Sequence, residues 1–173
     1  MSKNLKSLTG MEEVAKKKIF KEEAEGRVLG LFKEPPVRTL RVFPLGVVPK
    51  KAPGEYRLIH HLSYSAGDAV NDMIPEELCA VQYTPSDAVV HMIKACGPGI
   101  ELAKCDIQLA LHLLPVHPSD FELLGFAFEG CYYMDGALTM GCSISCTAFE
   151  CFRSFLEWVL QKHRMGVPMQ CII

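Results

Sequence analysis

The sequence predicts a single domain of the α+β class, and the order of its elements is the main reason. Helical patterns alternate with hairpin patterns, and no strand–helix–strand unit repeats, which favours antiparallel strands segregated from helices. The 173 residues are enough to bury a core without covalent staples. A content of 49% hydrophobic and 22% charged residues is typical of a globular chain rather than a disordered one.

The N-terminal third begins with a predicted helix from Glu12 to Phe32. Apolar residues such as Val14 and Ile19 recur there among charges spaced four apart, and Gly26 and Gly30 weaken its end. The stretch "EPPVRTLRVFP" follows as an extended connector, because prolines bias the preceding residues away from helix.

Three strand-containing segments come next. "LGVVPK" and "EYRLIHHL" predict a hairpin around "APGE", where Pro53 and Gly54 suit the centre of a turn. "IELAKCDI" is predicted as a buried strand, and "LLGFAFEGCYYMD" as a second hairpin that turns at Glu129 and Gly130.

Two further helices are predicted. "TPSDAVVHMIKAC" has Thr84 as its N-cap, Pro85 at the first position and Asp87 at the third, and "GPG" ends it. The polar stretch before it, "SYSAGDAVNDMIPEEL", is predicted to be irregular. The last helix, "TAFECFRSFLEWVLQKHR", carries one apolar face formed by Phe149, Phe152, Leu156 and Val159.

Charge is unevenly distributed although the net charge is only −2. Residues 1–60 hold 13 basic and 7 acidic side chains, whereas residues 61–173 hold 5 and 13. Such a split suits a protein that grips a polyanion on one side and a cation on the other. A helix with solvated Lys and Glu faces explains the split as well, and it is the favoured explanation on charge alone.

Eight cysteines without a CxxC pair, behind an N-terminus that lacks a signal-peptide core, predict reduced and mostly buried thiols in an intracellular protein of the cytoplasm or nucleus. No apolar run approaches the ~18–20 residues of a membrane span, so no membrane partner is predicted.

Four segments together resemble a known family: "LGVVPKKAPGEYRLIHHLS", "LAKCDIQLALHLLPVHP", "LLGFAFEGCYYMDGALTMGCSIS" and the helix after them. In order, they resemble the fingers hairpin, motif A and motif B of retroelement reverse transcriptases, most closely the DIRS-like retrotransposons that encode a tyrosine recombinase. The resemblance implies a right-hand polymerase fold of fingers and incomplete palm. It divides the single partial domain 1–173 into an N-terminal helical segment 1–32, a fingers hairpin 41–64 and a partial palm 84–160.

The resemblance implies that Asp106 is the catalytic and metal-binding carboxylate of motif A, with the backbone carbonyl of Ile107 as the neighbouring ligand. Nucleotidyl transfer uses two Mg²⁺ ions ~3.5–4 Å apart, and Mg²⁺ prefers hard oxygen ligands. A carboxylate that caps backbone N–H groups at a strand end would be the favoured explanation for Asp106 alone. The other motifs favour the metal ligand.

Nucleotide contacts are implied for five further residues. Lys50 and Arg57 match the pair that contacts the triphosphate, although a solvated hairpin edge also carries such charges. Leu111 stands where the family usually has an aromatic ring under the sugar. Met140 and Gly141 belong to motif B, where glycine allows the backbone to approach the templating base pair. A glycine at a strand-to-helix corner is the simpler alternative.

Two local departures from the family matter for the site. In "LTMG", Thr139 replaces the usual proline and loosens the turn. The adjacent His60 and His61 suggest a metal site at first sight. Neighbouring side chains on a strand point to opposite faces, so structural histidines are the better prediction.

The family's next motif, an aromatic-x-Asp-Asp hairpin, supplies the partner carboxylates, yet the chain has no Asp or Glu after Glu157. Asp135 and Glu150 are excluded as replacements by sequence position. Without those carboxylates the barrier rises by several kcal/mol, so the chain alone is expected not to polymerise. The missing hairpin is also expected to leave an uncovered sheet edge that favours self-association.

The predicted function is therefore a fragment of an RNA-directed DNA polymerase. Its partners in the parent enzyme would be an RNA/DNA template–primer and a dNTP, with Mg²⁺ as a cofactor that this chain holds weakly. The alternatives are a co-opted, non-catalytic module that binds nucleic acid or protein, and a relic without function.

Overall fold

A four-stranded sheet and a separate two-stranded hairpin form the frame of the fold in the computed structural model, which describes residues 3–102 and 106–163. Runs of strands separated by single helices give an α+β arrangement, as the sequence predicts. In chain order, the elements are α1 Glu12–Ala24, β1 Val28–Phe32, β2 Val42–Phe43, β3 Leu45–Pro49, β4 Tyr56–His60, α2 Ser86–Cys96, β5 Gly125–Phe128, β6 Cys131–Asp135 and α3 Ser145–Lys162.

The larger sheet has the strand order β1-β6-β5-β2. β1 and β5 both pair with β6 in antiparallel fashion, and Val28 lies opposite Asp135. β2 pairs with β5 in parallel. β3 and β4 form their own antiparallel sheet, in which Leu45 lies opposite His60. The end of β4 is thus held near the sheet, since β2 and β3 are separated by Pro44 alone.

The predicted first helix is wrong in its second half, where β1 takes its place. Gly26 has a φ of 73°, a left-handed conformation that ends the helix beyond Ala24. The apolar residues after it are covered by β6 instead of completing a helical face. Gly30 is required there, because a Cβ at this position would lie 2.0 Å from Cδ1 of Tyr133.

Both predicted hairpins are confirmed. The turn between β3 and β4 places Gly54 at a φ of 79°. Between β5 and β6, Glu129 and Gly130 have φ values of 46° and 74°, the paired left-handed conformation of a type I′ turn. The predicted connector from residue 34 to 44 is mostly irregular and contributes only the two residues of β2.

The two later helices agree with the prediction except at their beginnings. α2 begins at Ser86 with Pro85 as its N-cap, so the predicted Thr84 cap is wrong, and no side chain caps the helix. Gly97 and Gly99, both with positive φ, follow its end. On α3, Phe149 is buried and the rest of the predicted apolar face is half-buried.

The core has two parts. Ala15 and Ile19 of α1 pack with Leu45 and with the ring pair Phe126 and Tyr133, whose centroids are 5.2 Å apart. A smaller cluster contains Phe43, Leu62, Ala69 and Leu124.

The six described cysteines are free thiols. Only Cys131 among them is fully buried and three are exposed, so the prediction of mostly buried thiols is wrong; Cys105 and Cys171 lie outside the described residues. Within 3–102 and 106–163, no helix is long and apolar enough to cross a membrane.

Candidate functional site

A cleft of about 400 Å³ lies between the β3–β4 hairpin, α1 and the segments around residues 107–112 and 139–140. Of the seven site residues that the sequence suggests, five line this cleft: Lys50, Arg57, Ile107, Leu111 and Met140. These residues are separated by up to 90 positions in the chain, so the fold, rather than local sequence, brings them together.

Asp106 is the first of the two that do not line the cleft. Asp106 is exposed and belongs to no strand. The prediction of a carboxylate at the end of a buried strand is therefore wrong for the part of "IELAKCDI" that the structure describes. Residues 103–105 of that predicted strand lie outside the described residues. The described residues contain no group of three Asp, Glu, His or Cys side chains that could hold a metal ion. A two-ion Mg²⁺ site therefore does not fit this donor set.

Gly141 is the second, and the structure shows a packing role for it; its approach to a templating base pair stays a prediction. A Cβ at this position would lie 1.7 Å from the backbone oxygen of His60. Asn71 reinforces the contact: its Nδ2 donates to the Gly141 oxygen at 2.9 Å, and its Oδ1 accepts from the Ser143 N–H at 2.9 Å. Glycine is needed here because the segment before α3 packs directly on the hairpin backbone.

The two cations on the rim of the cleft, Arg57 and Lys50, are largely available to bind an anion. Arg57 is exposed, and no described residue forms a hydrogen bond or ion pair with its side chain. Lys50 Nζ lies 3.3 Å from Glu55 Oε2, but both side chains are about half exposed, so this pair contributes little to stability. An incoming anion can therefore engage both residues without breaking a strong contact.

The inner wall of the cleft contains a buried hydrogen-bonded contact between His60 and Asp135. His60 is 5% exposed; its Nδ1 lies 2.7 Å from Asp135 Oδ2, and its Nε2 lies 3.1 Å from the Gly125 carbonyl oxygen. The carboxylate oxygen of Asp135 can only accept, so Nδ1 of His60 donates this hydrogen bond. His60 is thus tied to both strands of the second hairpin.

Asp135 lines the cleft, but the sequence analysis excluded it as a replacement for the missing carboxylates because of its position in the chain. The available signal was an acidic residue at the end of an otherwise apolar hairpin strand. Glu150, excluded on the same ground, lies on α3 and pairs with Arg153, outside the lining of the cleft.

A second polar network fixes the segment that carries Leu111. Glu22 of α1 accepts from Arg27 Nε at 2.5 Å and lies 3.0 Å from His112 Nδ1. Burial alone would raise the pKa of Glu22, but the hydrogen bond from Arg27 and the charges of His112 and Arg27 outweigh it, and the pKa is lowered. The ionised carboxylate therefore holds residues 110–113 against α1.

Thr139 lines the cleft and is only 7% exposed. Its backbone oxygen accepts a hydrogen bond from Ser145 Oγ at 2.7 Å. Its own Oγ1 is buried without a partner among the residues that the structure describes. An unpartnered buried hydroxyl costs free energy unless something else, such as a ligand, satisfies it.

Comparisons with family models and with curated proteins gave no match. Among solved structures, the foamy viral protease-reverse transcriptase in complex with double-stranded DNA matches 99% of this chain at a TM-score of 0.64 and 18% identity. The same protein in complex with an RNA/DNA hybrid matches 99% of it at 0.65 and 17%. The chain therefore has a reverse-transcriptase-like fold, and it spans 26% and 20% of the length of those two chains.

Proposed function

We propose that this chain is the fingers and part of the palm of a reverse transcriptase, from a retrotransposon of the DIRS-like group, and that its cleft binds a deoxynucleoside triphosphate. The observation that carries the proposal is the convergence of five residues, suggested by sequence motifs, on one cleft of about 400 Å³. Motif spacing alone does not require that convergence.

In this proposal, the two sides of the cleft bind different parts of the nucleotide. Arg57 offers a planar guanidinium that suits two phosphate oxygens, and Lys50 adds a point charge seven residues away. Leu111 and Met140 provide apolar contacts for the sugar and base. Leucine reaches less far than the aromatic ring usual in the family, so we expect weak discrimination against a 2′-hydroxyl.

We further propose that the chain alone binds nucleotides without transferring them. Two-ion catalysis needs several carboxylates around the reacting phosphate, and Asp106 is the one side chain that the motifs assign to this task. Asp135 lies in the cleft, but one of its oxygens is occupied by His60. Any Mg²⁺ would be held weakly by Asp106 and the Ile107 carbonyl.

The foamy viral structures contain double-stranded DNA or an RNA/DNA hybrid. We propose a template–primer duplex as the macromolecular partner of this chain as well, in an intracellular setting. Self-association through a sheet edge stays a prediction; β1 and β2 are the edge strands of the described four-stranded sheet.

Equilibrium binding of fluorescent dTTP tests the nucleotide site. Arg57→Gln should weaken binding about tenfold, since a hydrogen bond to a charged group is worth about 1.5–3 kcal/mol. Arg38→Gln is the matched control, because Arg38 is also exposed but does not line the cleft. Equal losses in the two variants would show that dTTP responds to overall charge and not to this cleft.

Primer extension with Mg²⁺ and with Mn²⁺ tests the proposed lack of catalysis. We expect no extension product from the wild-type chain. Product that disappears in Asp106→Asn would show that the chain catalyses nucleotidyl transfer and that Asp106 takes part.

A further inference from the structure

A second groove of about 320 Å³ lies between α1 and the turn of the β3–β4 hairpin. Three residues of α1 and four of the hairpin line it: Val14, Lys17, Lys18, Lys50, Gly54, Glu55 and Tyr56. Most of these residues are exposed, so the groove is open along its length. It joins the cleft described above, because Lys18, Lys50 and Tyr56 line both.

The groove is positively charged because lysines are gathered on one side of α1. Val14, Lys17 and Lys18 stand at i, i+3 and i+4, so they share a helix face. No described residue forms a hydrogen bond or ion pair with the side chain of Lys17 or Lys18. The lining contains three lysines and one acid, Glu55, which lies 3.3 Å from Lys50, so the groove has a net positive charge. Two unpaired cations are therefore directed toward a concave surface.

We infer that this groove binds the phosphate backbone of a single-stranded nucleic acid that continues from the cleft, an inference that rests on the proposed nucleotide site. Lysines supply sequence-independent contacts to phosphates, and Tyr56 and Val14 supply an aromatic and apolar floor for bases or sugars. An acidic peptide would meet the same lysines, but it would leave this floor without a partner. The shared lining with the cleft also favours a strand over a separate ligand.

Salt-dependent binding of a fluorescein-labelled oligothymidylate, followed by anisotropy, tests the inference on the full chain. Each lost phosphate contact lowers the slope of log K against log salt by about 0.7 for a single strand. Lys17→Gln should lower the slope by that amount. Lys94→Gln, an exposed lysine on α2 with no described ion pair, removes the same charge and should leave the slope unchanged. Circular dichroism checks that both variants fold.

Three arms separate this inference from the nucleotide site. Lys17→Gln should leave dTTP affinity unchanged, whereas Arg57→Gln lowers it. The proposed strand-binding role of the groove is overturned if Lys17→Gln keeps the wild-type slope, or if polyglutamate of equal charge displaces the oligothymidylate. If the wild-type protein does not bind dTTP but binds the oligothymidylate through Lys17, the role of the groove is supported and the nucleotide site is refuted. If the protein binds neither probe, both are overturned.

Discussion

The His60–Asp135 pair offers the most direct test of how the cleft is built, through the substitution Asp135→Asn. This change keeps the shape of the side chain and one acceptor oxygen, but it removes the carboxylate charge that faces His60 Nδ1 at 2.7 Å. His60 is 5% exposed, so water cannot easily strengthen the remaining contact. The folded state then keeps a weaker, neutral hydrogen bond at this position.

A hydrogen bond to a charged group contributes about 1.5–3 kcal/mol, and the neutral hydrogen bond that asparagine keeps contributes about 1 kcal/mol. The Asp135 side chain is only 16% exposed, so solvent replaces little of the difference. We therefore expect Asp135→Asn to lower the free energy of unfolding by about 1–2 kcal/mol. For a domain of this size, that loss lowers Tm by roughly 2–8 °C.

Urea unfolding followed by circular dichroism at neutral pH measures the effect. Asp120→Asn is the control, because that carboxylate is exposed, and its loss should be within about 0.5 kcal/mol. The double variant His60→Phe, Asp135→Leu should lose less than the sum of the losses in its two single variants, since neither side chain is left without its partner. A loss in Asp135→Asn no larger than that of the control would refute the charge-assisted hydrogen bond.

Three further substitutions probe other contacts of the cleft. Gly141→Ala should destabilise the fold by about 3 kcal/mol in urea unfolding, because its Cβ would meet the His60 carbonyl at 1.7 Å and neither backbone can yield cheaply. Glu22→Gln should cost about 1–2 kcal/mol at pH 7. The lowered pKa of Glu22 contributes stability above the ordinary carboxyl pKa of 4.5 that is lost as pH falls through the folded value, so the difference should shrink in acid unfolding curves. Thr139→Val should weaken dTTP binding about fivefold while the free energy of unfolding stays equal or rises, since an unpartnered hydroxyl is removed.

Each of these three substitutions has a matched control substitution elsewhere in the chain. Gly136→Ala adds a Cβ at an ordinary contact distance of 3.4 Å and should be mild. Glu23→Gln removes a neighbouring charge of α1 for which the structure shows no ion pair and should keep the acid response. Thr147→Val removes another unpartnered buried hydroxyl, on α3 and outside the cleft lining, and should leave dTTP affinity unchanged. A variant that behaves like its control contradicts the corresponding contact.

Local signals in the sequence predicted those parts of the fold that local interactions decide. The turns at Gly54 and at Glu129–Gly130, and the apolar periodicity of α3, each act within a few residues, and the structure confirms them. β1 was missed because its partner strand lies about one hundred residues away. Its sequence also fits a helix, and tertiary pairing overrides that preference.

The candidate site, like the fold, could be predicted only where local sequence signals decide it. Motifs suggested Lys50, Arg57 and Leu111, and the fold brings them together. No motif could show that Asp135 would reach His60, because that contact depends on the register of two separate sheets. Asp106 was expected to be buried because its neighbours in the sequence are apolar, yet it is exposed. Burial depends on contacts with distant parts of the chain, which neighbouring residues do not reveal.

The strand order β1-β6-β5-β2 has a consequence for synthesis on the ribosome. β1 and β2 are the first strands of this sheet to be made, yet both pair only with β5 and β6, which end at Asp135. At a synthesis rate of about 5–20 residues per second, β1 and β2 remain without their partner strands for roughly 5–20 seconds. During that interval the β3–β4 hairpin, α1 and α2 can form from local contacts, but the apolar strand Val28–Phe32 stays available to chaperones or to neighbouring chains.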